Sequence, residues 1–156
     1  MKTLILYATK HGAAAEIAGR IAAQIDGAVT HDLKQQPIPS IDDFDCIIVG
    51  SSIYAGTMRK EARNYLDENC AELSKKKLGL FISGMGVDGE DGVLKQSFSD
   101  ELLQAVKAAN VLGGIFDPVK ASFFERLIMR IVTKQSGYMS NINDERISKF
   151  VEAMKA

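Results

Sequence analysis

Short runs that are apolar throughout alternate along this chain with longer stretches whose apolar residues recur every three or four positions. Thr3–Ala8 (TLILYA), Asp45–Gly50 (DCIIVG), Leu78–Ser83 (LGLFIS) and Asn110–Phe116 (NVLGGIF) are runs of the first kind. A strand covered on both faces needs apolar side chains on both, so such runs predict core strands of a parallel sheet. Ala28–Leu33 carries Thr30, His31 and Asp32 and predicts an edge strand instead. The second pattern starts at Ala13, where Ala14, Ile17, Ala18, Ile21, Ala22 and Ile25 fall on one helical face. It recurs over Arg59–Leu73, with Ala62, Tyr65, Leu66 and Leu73 on the buried side, and over Ser97–Ala109, with Ser99 as a cap. Ser122–Lys134 and Asn143–Met154 complete the set of predicted helices. Gln35–Ser40, with Pro37 and Pro39, and Lys75–Lys77 read as turns.

Strands that alternate with helices predict an α/β protein with right-handed crossovers. Five strands fit a doubly wound parallel sheet in the order 2-1-3-4-5, with helices on both faces. Ligands of such sheets bind beyond the carboxyl ends of the strands, where the strand order reverses. Three loops meet there: Thr9–Ala14, Ser51–Gly56 and the start of the glycine-rich stretch Gly84–Gly92. All three are built from small residues.

Composition narrows the field. A chain of 156 residues, 46% hydrophobic and 25% charged, makes one domain over residues 1–156. Its net charge of -1 favours neither nucleic acid nor an acidic tail. Two cysteines, Cys46 and Cys70, make no disulfide framework and suit reduced thiols in a cytoplasmic protein. The N-terminal apolar run is too short for a signal peptide, and no run reaches membrane-spanning length. The two histidines, His11 and His31, lack ligand spacing, so no metal site is expected.

The three loops suggest a division of labour. A strand turning tightly into a helix aims backbone N–H groups and a positive helix end at one spot, which favours a phosphate. The N–H groups of Lys10, His11, Gly12, Ala13 and Ala14 would form that nest, with the Thr9 hydroxyl as a further donor. The second loop, Ser51, Ser52, Ile53, Tyr54, Ala55 and Gly56, would lie along a flat ring, with Tyr54 stacking on it. The third, Ser83, Gly84, Met85, Gly86 and Val87, would meet the polar ring edge through backbone N–H groups. The cofactor that fits is FMN. It carries the redox chemistry itself, so no side chain is assigned a catalytic role.

Gly50–Gly56 (GSSIYAG), Phe123–Arg130 (FFERLIMR) and Lys134–Gly137 (KQSG) carry a resemblance. Nearly the whole chain resembles a flavodoxin-type domain, and these segments resemble its menaquinone-dependent protoporphyrinogen dehydrogenase branch in particular. The resemblance implies noncovalent FMN, a porphyrin-type electron donor and a quinone acceptor. It assigns residues 9–14 to phosphate and residues 51–56 and 83–87 to the two sides of the flavin. The flavodoxin phosphate loop usually carries hydroxyls where this chain has Ala8 and Ala14. Each missing donor is worth about 1 kcal/mol or somewhat more toward a charged phosphate.

Two other functions share the topology. A flavodoxin electron carrier between redox proteins fits the fold, although strong acidity usually steers such carriers and this chain is nearly neutral. A flavodoxin fold without tight FMN binding is the other. A phospho-receiver would need carboxylates after the first and third strands, where Thr9-Lys10 and Ser51-Ser52 stand. Asp88, Glu90 and Asp91 form either a patch for an electron partner or a solvated loop. In Ser122–Lys134, Arg126, Arg130 and Lys134 share one face beside a broad apolar surface. That suits a core helix with a basic outside, or peripheral contact with a membrane or a quinone-bearing partner.

Overall fold

The structure is a computed structural model and describes residues 1–54, 56–84, 89–116 and 139–156. Strand β1 (Thr3–Ala8) leads into helix α1 (Ala13–Ala22), and β2 (Val29–Asp32) follows. A single 3-10 turn (Ile41–Asp43) precedes β3 (Cys46–Tyr54), which folds back into β4 (Thr57–Met58). Helix α2 (Lys60–Leu73), β5 (Lys77–Ser83), α3 (Glu90–Ser97), α4 (Asp100–Ala105) and β6 (Ala108–Val111) come next. A short ribbon pairs β7 (Ile115–Phe116) with β8 (Met139–Ser140), and α5 (Asp144–Lys155) closes the chain.

The main sheet runs β2-β1-β3-β5-β6, with β4 hydrogen-bonded to β3 alone. Its five parallel strands keep the order 2-1-3-4-5 expected from the sequence; β4 is an antiparallel addition. The polar strand β2 lies at an edge, as its Thr30, His31 and Asp32 require.

Alternate residues of each core strand face opposite layers, which explains why the runs are apolar throughout. Leu4, Leu6, Ile47, Val49, Leu80 and Ile82 join one cluster with Ala62, Tyr65, Leu66 and Leu73 of α2, Leu94 of α3 and Leu102 of α4. Ile5, Cys46, Ile48 and Phe81 join the other with Ile17, Ala18 and Ile21 of α1 and Ile147, Phe150, Val151 and Met154 of α5. The four buried residues predicted for the second helix are the ones buried in α2. Burial in that layer pushes the Tyr65 phenol up to about 12. The same cause raises the Cys46 thiol, which is fully buried.

Several element boundaries differ from the expectation. The predicted loop Ser51–Gly56 is strand as far as Tyr54, because Ile53 and Tyr54 pair with Met58 and Thr57 of β4. The predicted helix Ser97–Ala109 is three pieces. Phe98 is extended, Ser99 caps α4 by accepting from the Leu102 N–H at 3.3 Å, and strand pairing claims Ala108 and Ala109. The predicted strand Asn110–Phe116 breaks at Gly113, whose φ is 95°. A Cβ there would lie 2.2 Å from the Asn141 carbonyl oxygen, so the glycine admits a close backbone approach and the chain leaves the sheet. The glycine-rich stretch ends at Gly89 rather than Gly92, since α3 starts at Glu90. The predicted helix Ser122–Lys134 lies outside the described residues.

Candidate functional site

The carboxyl ends of β1, β3 and β5 lie side by side, with Ala8 opposite Ser51 and Ser52 opposite Ser83. The turn after β1 reverses direction at Gly12, which takes φ 101° as the N-cap of α1. A side chain would strain that conformation, and the glycine brings none to cap the helix. The N–H groups of Ala13, Ala14 and Ala15, the first residues of α1, therefore have no acceptor within the helix and no side-chain cap. Thr9 is drawn inward: its Oγ1 accepts from the Gly12 N–H at 2.8 Å and braces the turn.

Ala8 and Ala14, where side-chain donors are missing, are both fully buried. Ala8 belongs to the layer under α2, and Ala14 to the layer under α1. In this chain these two positions serve packing, and the turn has backbone donors in place of hydroxyls.

Two serines hold β3 to its neighbours. Ser51 Oγ donates to the Ser52 carbonyl at 2.9 Å and accepts from the Arg59 N–H at 2.9 Å, which pins the start of α2 beside the hairpin. Ser52 Oγ accepts from the Lys10 N–H at 3.2 Å and ties the first turn to β3. Lys10 reaches the hairpin a second time, with its ammonium 3.4 Å from the centroid of the half-buried Tyr54 ring. Gly56 is exposed at the hairpin tip with φ 77°.

Ser83, at the end of β5, is 1% exposed, and its hydroxyl has no partner among the described residues. A buried polar atom without a partner costs about 1–3 kcal/mol. Its place, next to Ser52 and at the mouth of the third loop, is where a ligand's polar edge would satisfy it. Gly84 follows, with its N–H donating to the Gly113 carbonyl at 3.0 Å.

The third loop is anchored again at its far end by a contact the sequence did not reveal. Glu90 accepts from the Val111 N–H at 2.9 Å and from Asn110 Nδ2 at 3.0 Å, and pairs with Arg146 of α5. Burial pushes its carboxyl up. The hydrogen bonds from Arg146, Val111 and Asn110, with the charge of Arg146, hold it below the usual carboxylate range. Glu90 thus binds α3, β6 and α5 together, a role other than the acidic patch or solvated loop expected of it. The acidic first turn of α3, just after Gly89, was the available signal; the partner 56 residues away was not.

The structure thus brings together Thr9, Lys10, His11, Gly12, Ala13, Ala14, Ser51, Ser52, Ile53, Tyr54, Ser83 and Gly84 at one sheet edge, with Gly56 at the tip of the hairpin. Ala55, Met85, Gly86 and Val87, also expected there, lie outside the described residues. Among the described residues no group of His, Cys, Asp and Glu could hold a metal ion, and no helix is long and apolar enough to cross a membrane. A cleft of about 240 Å³ between α2 and the α3–α4 corner, lined by Met58, Arg63, Leu66 and Phe98, contains none of the expected site residues.

The chain superposes on a flavodoxin from the domain Archaea with a TM-score of 0.60 at 14% identity, covering 100% of both chains. It superposes on oxidised flavodoxin 1 from Bacillus cereus with a TM-score of 0.57 at 18% identity, over 99% of this chain and 95% of that one. A flavoprotein from Lactobacillus acidophilus, solved in complex with FMN, gives a TM-score of 0.51 at 16% identity, over 72% of this chain and 91% of that one. No curated protein matches the sequence. The family model described as a flavodoxin domain matches residues 4–143, and with that span the chain belongs to the flavodoxin-domain family.

Proposed function

We propose that this chain binds FMN noncovalently at the carboxyl edge of its sheet and works as a single-domain redox flavoprotein. The observation that carries the reading is the Ser83 hydroxyl, without a partner among the described residues and buried at the edge where the uncapped start of α1 and the Tyr54 hairpin also lie. The N–H groups at the start of α1 would take the phosphate, Tyr54 would cover the ring, and the Ser83 hydroxyl would meet the ring's polar edge, the Gly84 N–H being engaged by the Gly113 carbonyl. The donor set fits the group: fixed N–H groups for an anion, an aromatic face for a flat ring and a hydroxyl in need of a partner. Bound FMN would supply two-electron chemistry. The chain's part is to orient the cofactor and keep water from one face.

The finer reading is an oxidoreductase of the protoporphyrinogen-dehydrogenase kind, passing electrons from an organic donor to a quinone in the cytoplasm or at the inner face of a membrane. The resemblance of residues 50–56 and 122–137 supports it. Carriage of electrons between redox proteins is the second reading, favoured by superposition over the full length of a flavodoxin from the domain Archaea.

Titration of the purified apo-protein with FMN, followed by flavin fluorescence, tests the site. Saturable binding with quenching is expected, with quenching reduced in Tyr54→Ala. Ser83→Ala should weaken binding about fivefold to tenfold, the worth of one hydrogen bond. It should leave the apo-protein as stable or more so in urea, since it removes a buried hydroxyl without a partner among the described residues. No binding at high micromolar FMN would overturn the proposal.

A further inference from the structure

Lys10 does more than complete a turn. Its N–H is bonded to Ser52 and its ammonium covers one face of Tyr54, so a single residue joins the first loop to the hairpin at two points. The backbone bond belongs to the turn, but the side chain's position does not follow from it. The attraction of a cation for a half-exposed tyrosine is about what ordering a lysine costs, so the contact adds little to the stability of the fold. It does place a positive charge against one face of Tyr54, so that a ring would stack on the other. Arg59 and Lys60, just past the hairpin, lend the same sign, and Glu61 opposes them.

We propose that Lys10 sets the redox preference of the site, its ammonium offsetting the negative charge that a ring held at Tyr54 gains on reduction. The inference rests on the FMN reading. A neutral oxidised ring that takes up two electrons and one proton is left with one net negative charge. An opposite charge a few ångströms away favours that form. The midpoint potential records the difference in affinity for the two redox forms, so tighter hold on the reduced form raises it. The protein is then suited to taking electrons from an organic donor, rather than to delivering them at low potential. A lysine that served only the phosphate would hold both redox forms equally and leave the potential where it was.

The test compares wild type, Lys10→Gln and Lys10→Arg, each loaded with FMN and separately with riboflavin, by spectroelectrochemical titration and by binding of oxidised and dithionite-reduced flavin. Lys10→Gln should lose at least tenfold more affinity for the reduced than for the oxidised flavin, which lowers the midpoint by about 30 mV or more for a two-electron couple. Lys10→Arg should stay near wild type. The shift should persist with riboflavin, which has no phosphate. Equal loss of affinity for both forms, or loss of all FMN binding in Lys10→Gln with riboflavin potentials unchanged, would make Lys10 a phosphate ligand and overturn the inference. If wild type binds FMN in neither form, the cofactor reading fails and this inference fails with it.

Discussion

Gly50 shows how one residue's absence of a side chain is fixed by its neighbour. It faces the layer under α1 and α5, and a Cβ at this position would stand 2.0–2.3 Å from ring atoms of Phe81 on the adjacent strand. Phe81 fills that space and meets Phe150 of α5 edge-on, with ring centroids 6.5 Å apart. Gly50→Ala should therefore destabilise the fold by about 1–3 kcal/mol or more through overpacking. Phe81→Leu should partly relieve it, so the double variant loses less than the sum of the two single losses by at least about 0.5 kcal/mol in urea unfolding. Strict additivity would mean that the two positions do not share the space. Ser83 is the contrary case, a buried residue whose hydroxyl has no partner among the described residues, and for that reason it carries the cofactor proposal.

At the scale of elements, Glu90 shows what holds the third loop. Its folded-state pKa is depressed, so the stability it contributes is present above the unfolded value of about 4.3 and is lost as pH falls through the folded value. Glu90→Gln should cost about 1 kcal/mol at pH 7, a modest figure because Arg146 is 40% exposed and solvent screens the pair. Wild type and variant should converge below the folded pKa, which urea unfolding at a series of pH values would reveal. A constant difference across that range would remove the charge from the explanation. The core strands, the polar edge strand and the buried face of α2 were legible because two-sided burial and helical periodicity leave local patterns. The division of residues 97–109 was not. Ala105, Ala108 and Ala109 suit a helix by propensity, and pairing with β5 overrides that at Ala108 and Ala109. Ser99 carried the one local sign of the break. That the ends of β1, β3 and β5 lie side by side could be read from the topology, whereas the Lys10–Tyr54 contact depends on geometry between segments far apart in sequence.

For the whole molecule, the sheet order places the ends of β1, β3 and β5 next to one another, so the candidate site is a property of the winding more than of any one motif. Ile115 is opposite Ser140 and Phe116 opposite Met139, so the described chain on either side of residues 117–138 is joined by strand pairing. Asn141 fastens that pairing on the inner side, accepting from the Gly114 N–H at 2.6 Å and donating its own N–H to the Gly114 carbonyl at 2.9 Å. Because Phe116 and Met139 are already paired, replacing residues 117–138 by a two-residue turn suited to a hairpin should keep the β7–β8 pairing, which backbone chemical shifts and urea unfolding of the shortened chain would check. Loss of folding would show that the segment supplies core. The ribbon is a natural graft point: its strands end side by side at Phe116 and Met139, so segments of different length can be joined there while that pairing stays as it is.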